Sequence, residues 1–468
     1  MTRFAPLLVI AATSQVACPA PPPADEAPRC ELGPPQVAGT AETDLLASAP
    51  ARCGMPAYRW LRSDRLGEIV ERGAQVDYEA AVLELTALVG DITLPRPPRY
   101  DVRVEQILYR TQDRGVLVEA TALVGYPTNA SAERALDMLL ILHGTSGFTD
   151  GCGPSVDDEA RSLVGLFASL GMVAVAPDYI GLKAMGPPTG FLHPYLVGEA
   201  TAIASLDAVR AADHIVHDAQ PDRCVHPRLA LFGGSQGGHA ALWVDRLQPY
   251  YARELTLVGG VATVPPADLL GEAERALQQT VPASANTAVM LAAGAEWYGA
   301  NASLDEVFAT DYVDAVPEAM AASCDPGDTV QDLTIQDLYT PALLQAAASN
   351  SLAHMAPWGC MLEVNSLLQT PVQHLTPQGD GFGLLFVLGE ADALVHTPLE
   401  RASFDTLCQA GMRLQYLECA GASHTQATGW SYPEILTFID ARLAGQAMDP
   451  ALLCHRVTPV VCSNTPEP

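Results

Sequence analysis

The chain has 468 residues, of which 49% are hydrophobic and 17% charged, so it can bury a large core in one domain or two. Its formal net charge is −29, and only one of its 25 basic residues, Lys183, is a lysine. A surface this acidic repels phosphate backbones, so we expect no nucleic-acid partner. Because Schiff-base and Ser–Lys mechanisms need a catalytic lysine and the chain has only one lysine, we expect neither mechanism.

The N-terminal residues have the pattern of a targeting segment. Arg3 precedes an apolar stretch at residues 4–12, which is too short to span a bilayer as a helix. Small residues then lead to Cys18 and a proline-rich spacer, as in bacterial lipoprotein signals, where this cysteine is lipidated. We expect a signal peptide over residues 1–17 and export to the cell surface, the periplasm or the medium. Gln15 stands where such signals prefer leucine, so plain cleavage or an uncleaved tail stays open.

Beyond a linker and strap at residues 18–55, helical and strand-like segments begin to alternate. A helical segment and a proline-rich breaker precede two strands that form an antiparallel pair at a sheet edge. Two continuous apolar runs follow, typical of strands buried on both faces. In chain order these segments are residues 58–89, 94–98, 102–109, 116–126, 138–142 and 172–176, with a helix at 157–170 between the last two. A long amphipathic helix at 199–216 then leads to a strand at 228–232.

A long interruption divides the second half of the predicted domain, which ends near residue 445. After a strand at residues 257–264, the segment at about 265–380 is rich in Ala, Leu and helix signals. The alternation resumes with a strand, helix, strand and helix at residues 384–388, 399–410, 412–419 and 432–444. This order implies a mostly parallel sheet covered on both faces, with the interruption as a helical cap over the carboxyl ends of the strands. Residues 446–468 form a cysteine-containing tail.

Residues 233–237 (GGSQG) match the G-x-S-x-G pattern and lie between a predicted strand and an Ala-rich helix. Gly233 and Gly237 allow strand and helix to approach closely, and the turn between them exposes Ser235. The serine oxygen then lies at a helix N-terminus, which favours developing negative charge. We therefore expect Ser235 to be a nucleophile; the alternative is a glycine-rich turn with a capping serine.

A serine nucleophile needs a base that a carboxylate orients, in the chain order Ser, acid, His. Asp392 lies in the loop after a predicted strand and is the expected acid, with Glu390 as its competitor at the strand end. Three histidines follow the serine and acid. His424, just past the last strand, is the expected base, whereas His396 shares a loop with the acid and His455 lies in the tail.

The oxyanion formed during such a reaction needs two backbone donors. The N–H of Gln236, directly after the nucleophile, is one expected donor. The second is the N–H of Thr145, in the loop HGTSG that follows a buried apolar strand.

Several stretches of this sequence resemble the secretory-lipase, or lipase A-like, family of α/β-hydrolases. They are YRTQDRGVLVEATALVGYP, LLILHGTSGF, VAVAPDYIGL, HPYLVGEA, FGGSQGGHAALW, LGEADALV and GASH, and the resemblance spans about residues 55–445. It implies an α/β-hydrolase fold, triad roles for Ser235, Asp392 and His424, and a cap between strands six and seven that forms the acyl tunnel. Asp178 and His193 lie in matching segments and are interpreted as structural supports.

The most direct function for this site is hydrolysis of carboxylic esters, with small-molecule or lipid esters as substrates. A serine peptidase of the prolyl-oligopeptidase-like group is the alternative enzyme, since it uses the same triad. No propeller-like repeats precede the domain, and this favours ester hydrolysis. A non-catalytic surface binding protein is the alternative outside enzymes. We expect no cofactor, and a membrane contact only through a lipid anchor.

The eleven cysteines contain no Cys-x-x-Cys pair, and no His-Glu-x-x-His motif occurs, so no metal site is expected. In an exported chain scattered cysteines favour disulfides, and removal or lipidation of Cys18 leaves ten, enough for five bonds. Cys152 is a candidate to tie the core to the cap through Cys324 or Cys360, although only the even number of cysteines after Cys18 is predicted and not their pairing. Cys408 and Cys419 bracket the last strand, and Cys454 and Cys462 are candidates to close the tail on each other. Spacing alone fixes none of these pairs.

Overall fold

A computed structural model describes residues 30, 32–37, 52–56, 58–90, 92–131, 134–375 and 379–466. Within them nine strands form one sheet, in the order β1-β2-β3-β5-β4-β6-β7-β8-β9. The strands are β1 (Ile69–Tyr78), β2 (Val102–Asp113), β3 (Val116–Pro127), β4 (Leu136–Leu142), β5 (Val173–Pro177), β6 (Val225–Gly234), β7 (Thr256–Thr263), β8 (Leu384–Gly389) and β9 (Leu414–Cys419). The predicted signal peptide and Cys18 lie outside the described residues.

The sheet changes from antiparallel to parallel along its width. β1, β2 and β3 form an antiparallel meander, and β3 also pairs antiparallel with β5. From β5 across to β9 every neighbouring pair is parallel. The β2–β3 hairpin turns at Arg114 and Gly115, both with positive φ, as a two-residue turn of this handedness requires.

Helices cover both faces of the sheet. They are α1 (Ala80–Val89), α2 (Asp158–Ser169), α3 (Gly198–Ala219), α4 (Gln236–Tyr251), α5 (Leu269–Gln278), α6 (Pro282–Tyr298), α7 (Ala315–Ala322), α8 (Gly327–Val330), α9 (Ile335–Leu338), α10 (Pro341–Ala348), α11 (Trp358–Asn365), α12 (Thr397–Gln409), α13 (His424–Trp430) and α14 (Tyr432–Leu443). Buried residues of α3 and α4 belong to one core cluster, and those of α2 and α14 to another. Among the described residues, no helix combines the length and apolar character needed to cross a bilayer.

Helices α5–α11 form the insertion between β7 and β8. The prediction placed it between strands six and seven, and the count differs by one because β1 was not predicted as a strand. Proline residues divide it, because a proline cannot donate a backbone hydrogen bond inside a helix. Pro282 and Pro341 stand at the first positions of α6 and α10, and Pro357 directly precedes α11. The predicted α/β-hydrolase architecture, with a mostly parallel sheet and an inserted helical cap, is therefore confirmed.

Two predictions at the start of the sheet were wrong. Residues 58–89 are not one helical segment, since β1 occupies their middle and only α1 is helical. β1 pairs with β2 and is largely exposed, so it shows neither a continuous apolar run nor strict alternation. Because β1 covers β2, the β2–β3 pair is antiparallel as predicted but does not lie at the edge.

Five disulfides join ten cysteines in the described residues. The pairs are Cys30–Cys224, Cys53–Cys360, Cys152–Cys324, Cys408–Cys454 and Cys419–Cys462. The third pair is one of the two candidate links between the core and the cap. The candidate closure of the tail by Cys454 and Cys462 is wrong. These cysteines bond instead to Cys408 and Cys419 on either side of β9, so the tail is fastened at two points.

Candidate active site

Ser235 stands at a sharp turn between β6 and α4, with φ 56° and ψ −120°. A Cβ atom added at Gly237 would lie 1.9 Å from the carbonyl oxygen of Leu142, and one at Gly233 would lie 2.0 Å from that of Gly237. Both positions therefore admit only glycine. The Ser235 N–H donates to the Thr263 carbonyl of β7 at 2.9 Å, which fixes the turn against the neighbouring strand.

The structure brings Ser235, His424 and Asp392 into one hydrogen-bonded chain. The Nε2 atom of His424 lies 2.8 Å from Ser235 Oγ, and its Nδ1 atom lies 2.7 Å from Asp392 Oδ2. A carboxylate accepts, so the Nδ1–H donates to Asp392 and leaves Nε2 free to accept the serine proton. This is the geometry that a base-activated serine requires.

Asp392 is buried, whereas Glu390 is exposed. The Oδ1 atom of Asp392 accepts the N–H groups of Leu394 and Val395 at 2.9 and 3.1 Å. These bonds leave Oδ2 directed at His424. Glu390 Oε2 instead accepts the N–H of Gly421 at 2.8 Å.

The other two histidines lie elsewhere. His396 donates its backbone N–H to Glu272 Oε1 of α5 at 2.6 Å, and His455 is exposed in the tail. The sequence position just past the last strand thus distinguishes His424 from both.

Gln236, at the first position of α4, has its side chain fixed by a buried histidine. Its Nε2 donates to Nε2 of His193 at 2.6 Å, and His193 Nδ1 donates to the Ile180 carbonyl at 2.8 Å. Burial lowers the pKa of His193 to about 3, so the ring is neutral and able to accept this bond. This contact could not be predicted from the sequence, because the two residues lie 43 positions apart along the chain.

The loop with Thr145 runs directly beside the elbow. A Cβ atom at Gly144 would lie 3.8 Å from Ser235 Cβ, so the two backbones are close neighbours. The His143 ring stacks on Tyr179 with ring centroids 4.2 Å apart, and the Tyr179 hydroxyl donates to the His143 carbonyl at 3.0 Å. These contacts hold the loop that carries the Thr145 N–H.

Asp178, interpreted from the sequence as a support, is buried beneath this region. Its Oδ1 atom accepts the Ser155 N–H at 2.8 Å, and its Oδ2 atom accepts the Thr121 hydroxyl at 2.5 Å. Burial raises the pKa of its carboxyl to about 7. The residue therefore ties β3 to the loop after β5 and makes no contact with Ser235.

A pocket with an empty volume of about 480 Å³ lies beside Ser235, between the elbow, the acid loop and the first two cap helices. Its walls are mainly apolar, with Leu269 and Ala273 from α5 and Met290 from α6. Glu272 of α5 is its one acidic lining residue. Burial raises the pKa of Glu272 to about 7, even though Arg275 lies beside it.

A second, smaller space lies deeper in the cap. It has an empty volume of about 290 Å³ and shares Tyr195, Leu196, Leu269 and Met290 with the pocket beside Ser235. The two spaces adjoin, so the apolar region continues from the serine into the cap.

The family model of secretory lipases matches residues 153–450 of this chain. Lipase 2 of Candida albicans is 26% identical over 292 residues, which are 59% of this chain and 56% of that protein. Lipase 7 of the same organism is 33% identical over 99 residues, 21% of this chain and 20% of that protein. The chain thus matches about half the length, or less, of these curated relatives.

Solved structures show the same fold at lower identity. The rice cell wall degrading esterase LipA from Xanthomonas oryzae superposes with a TM-score of 0.64 at 19% identity, covering 81% of this chain and 97% of that one. Candida antarctica lipase A in its closed state superposes with a TM-score of 0.63 at 16% identity, covering 86% and 87%. These likenesses establish the α/β-hydrolase fold of the chain.

Proposed function

Because the chain belongs to the secretory lipase family, we propose that it is a serine hydrolase of carboxylic esters that uses Ser235, His424 and Asp392. The hydrogen-bonded chain from Ser235 Oγ through His424 to Asp392 is the single observation that carries the proposal. The relatives support the type of bond that is cleaved, and the geometry supports the residues that cleave it.

In the proposed first step the Ser235 oxygen attacks the ester carbonyl carbon, and His424 Nε2 takes the serine proton. The carbonyl oxygen becomes an oxyanion, which the N–H groups of Gln236 and Thr145 stabilise. The C–O bond to the alcohol then breaks, the alcohol leaves with the proton from His424, and an acyl-serine remains. Asp392 keeps the imidazole oriented and stabilises its positive charge throughout.

In the second step water replaces the alcohol. His424 takes a proton from the water, whose oxygen attacks the acyl carbon. Collapse of the second oxyanion releases the carboxylic acid and returns the proton to Ser235. The apolar pocket beside Ser235 and the adjoining space in the cap would hold the acyl chain.

Substitution Ser235→Ala tests the proposal, since it removes only the attacking oxygen. We expect hydrolysis of p-nitrophenyl butyrate to fall to background, with unchanged thermal unfolding and no labelling by a fluorophosphonate probe. Ser349→Ala, on the exposed end of α10, is the matched control and should behave as the parent. Substantial turnover by Ser235→Ala would refute the proposed nucleophile.

The secretory lipase family and the five disulfides indicate a secreted protein. We propose that residues 1–17 are a signal peptide that directs this export and that Cys18 carries a lipid anchor. The targeting pattern of the sequence supports both points. Mass spectrometry of the mature N-terminus tests both points. A diacylglyceryl mass on an N-terminal Cys18 would support them, and an unmodified N-terminus at another residue would contradict the lipidation.

A further inference from the structure

The first cap helix, α5, forms hydrogen bonds to the acid loop, residues 392–396. Nη2 of Arg275 donates to the Leu394 carbonyl oxygen at 2.7 Å. Both of its Nη atoms also lie 3.4 Å from the Ala393 carbonyl oxygen. One guanidinium group of the cap therefore holds two consecutive carbonyl groups of the loop that carries the proposed acid.

These two carbonyl groups belong to the same peptides that bind the Asp392 carboxylate. The peptide from Ala393 to Leu394 donates its N–H to Oδ1 of Asp392 at 2.9 Å, and the peptide from Leu394 to Val395 donates to the same oxygen at 3.1 Å. Each peptide thus has its N–H on the carboxylate and its carbonyl on Arg275. Hydrogen bonds in such a chain polarise one another, so a cation at the carbonyl end strengthens the N–H bond to the anion at the other end.

The bond from Arg275 to the loop is shorter than its ion pair with Glu272. Its Nη2 and Nε atoms lie 3.0 and 3.2 Å from Glu272 Oε2, against 2.7 Å to the Leu394 carbonyl oxygen. Glu272 itself accepts the His396 N–H at the end of the same loop, at 2.6 Å. The Arg275 and Glu272 side chains are only 12% and 9% exposed. The pair and the acid loop therefore form one largely buried network.

Arg275 is also unusual in the sequence of the cap. It is the only lysine or arginine in the insertion, residues 264–383, although acidic residues occur throughout that segment. This guanidinium lies against the acid loop, where it meets two backbone carbonyls. Its position therefore meets a local requirement of the loop and does not follow the overall charge of the cap.

From these contacts we infer that Arg275 is a positioning residue for Asp392. It holds the two peptide groups that occupy Oδ1 of Asp392, and this keeps Oδ2 directed at His424. Helix α5 then supports the triad as well as forming a wall of the apolar pocket. The inference rests on the proposed ester hydrolysis by Ser235, His424 and Asp392.

Arg275→Gln tests the inference, because it removes the cation that joins the two carbonyls. We expect kcat for p-nitrophenyl butyrate to fall about 10-fold with KM nearly unchanged, since the acid would orient the base less well. In the Asp392→Asn background the same substitution should change kcat by less than about 2-fold, because no carboxylate remains to be positioned. Arg65→Gln, which breaks an exposed ion pair with Glu68 just before the edge strand β1, is the matched control and should keep the parental kcat.

Arg275→Lys is a second variant that guards against misfolding. It keeps a positive charge beside the buried Glu272, but an ammonium group lacks the planar fork that bonds two carbonyls and a carboxylate together. We expect a parental thermal unfolding temperature and a kcat lowered by about 3-fold or more.

A parental kcat in folded Arg275→Gln and Arg275→Lys would overturn the inference. An equal loss from Arg275→Gln in the parent and in Asp392→Asn would overturn it as well, because a residue that acts through Asp392 has no effect once the carboxylate is gone. Failure of the proposed ester hydrolysis is a separate result, since Ser235→Ala would then retain the parental rate.

Discussion

Ser235 and His424 are held together by residues that have no reactive group of their own. Thr263, which accepts the Ser235 N–H, also has its hydroxyl 2.6 Å from that of Thr428. Thr428 lies on α13, the helix that begins at His424. The pair therefore joins the helix of the proposed base to the strand beside the nucleophile.

Replacing Thr428 by valine keeps the shape of the side chain and removes its hydrogen bond. We expect kcat to fall by about 5- to 10-fold with KM nearly unchanged, because His424 would be held less well against Ser235. Steady-state kinetics on p-nitrophenyl butyrate measure both values. Thr428→Ser should restore most of kcat, and Thr406→Val, at an exposed position of α12, is the control. An unaltered kcat in Thr428→Val would show that the pair has no part in positioning.

Asp392 and Glu390 can be separated by amide substitutions. Asp392→Asn should lower kcat by about 10³- to 10⁴-fold with little effect on KM, because the imidazole loses its orienting carboxylate. Glu390→Gln should retain near-parental rates, since this exposed side chain bonds only the Gly421 N–H in the described structure. The reverse pattern would assign the acid role to Glu390.

His193 makes stability depend on pH in a defined direction. The unfolded chain binds a proton here below its ordinary pKa of about 6.5, whereas the folded chain holds the ring neutral down to about 3. The stabilisation by the neutral ring is therefore fully present above about pH 6.5 and is lost as the pH falls from about 6.5 towards about 3.

The substitution His193→Gln should consequently destabilise the protein more at pH 8 than at pH 5. We expect the difference in unfolding free energy between parent and variant to shrink by about 2 kcal/mol over this range. Urea unfolding at the two pH values measures the difference, and other titrating groups cancel in it. If the difference in unfolding free energy between parent and variant stayed constant with pH, the buried His193 ring would not be held neutral.

At the scale of elements, α6 forms a wall shared by the apolar pocket beside Ser235 and the deeper space. Gly294 of α6 lines the deeper space, where a Cβ atom would lie 3.6 Å from the sulfur of Met361. That distance is an ordinary contact, so the helix leaves room for a methyl group but not for a long side chain.

Gly294→Leu should therefore shorten the acyl chains that the enzyme accepts. We expect kcat/KM for p-nitrophenyl decanoate to fall about 10-fold or more relative to the butyrate, because the leucine occupies the deeper space. Gly294→Ala is the matched control and should keep the parental profile. If both variants kept that profile, the acyl chain would not enter this space.

The strands that were predicted best from the sequence are those that have the same apolar surroundings on both faces. β4, β6 and β8 are buried on both faces, so their apolar runs are continuous. β1 is exposed along most of its length, so no pattern marks it as a strand. The elbow could be predicted because G-x-S-x-G is local, whereas the bonds of His193 and Thr428 join segments that only the fold brings together.

At the scale of the whole molecule, the disulfides connect distant parts of the chain. Cys53–Cys360 spans 307 residues and Cys30–Cys224 spans 194, so N-terminal segments are tied to the cap and to the sheet. Alkylation of native protein without reduction should therefore modify none of the ten cysteines after Cys18, as peptide mass spectrometry would show. Several alkylated thiols would contradict both the pairing and an oxidising compartment.

The C-terminal tail also covers part of the outer edge of β9, the last strand of the sheet. In the tail, the Val460 N–H donates to the Glu418 carbonyl at 2.9 Å and the Cys454 N–H donates to the Leu414 carbonyl at 2.7 Å, and two disulfides fix these contacts. An uncovered strand of this kind exposes a row of free backbone groups that can recruit a strand from another copy. The disulfide-fastened tail thus leaves fewer backbone groups at this edge of the sheet free to pair with a second copy of the chain.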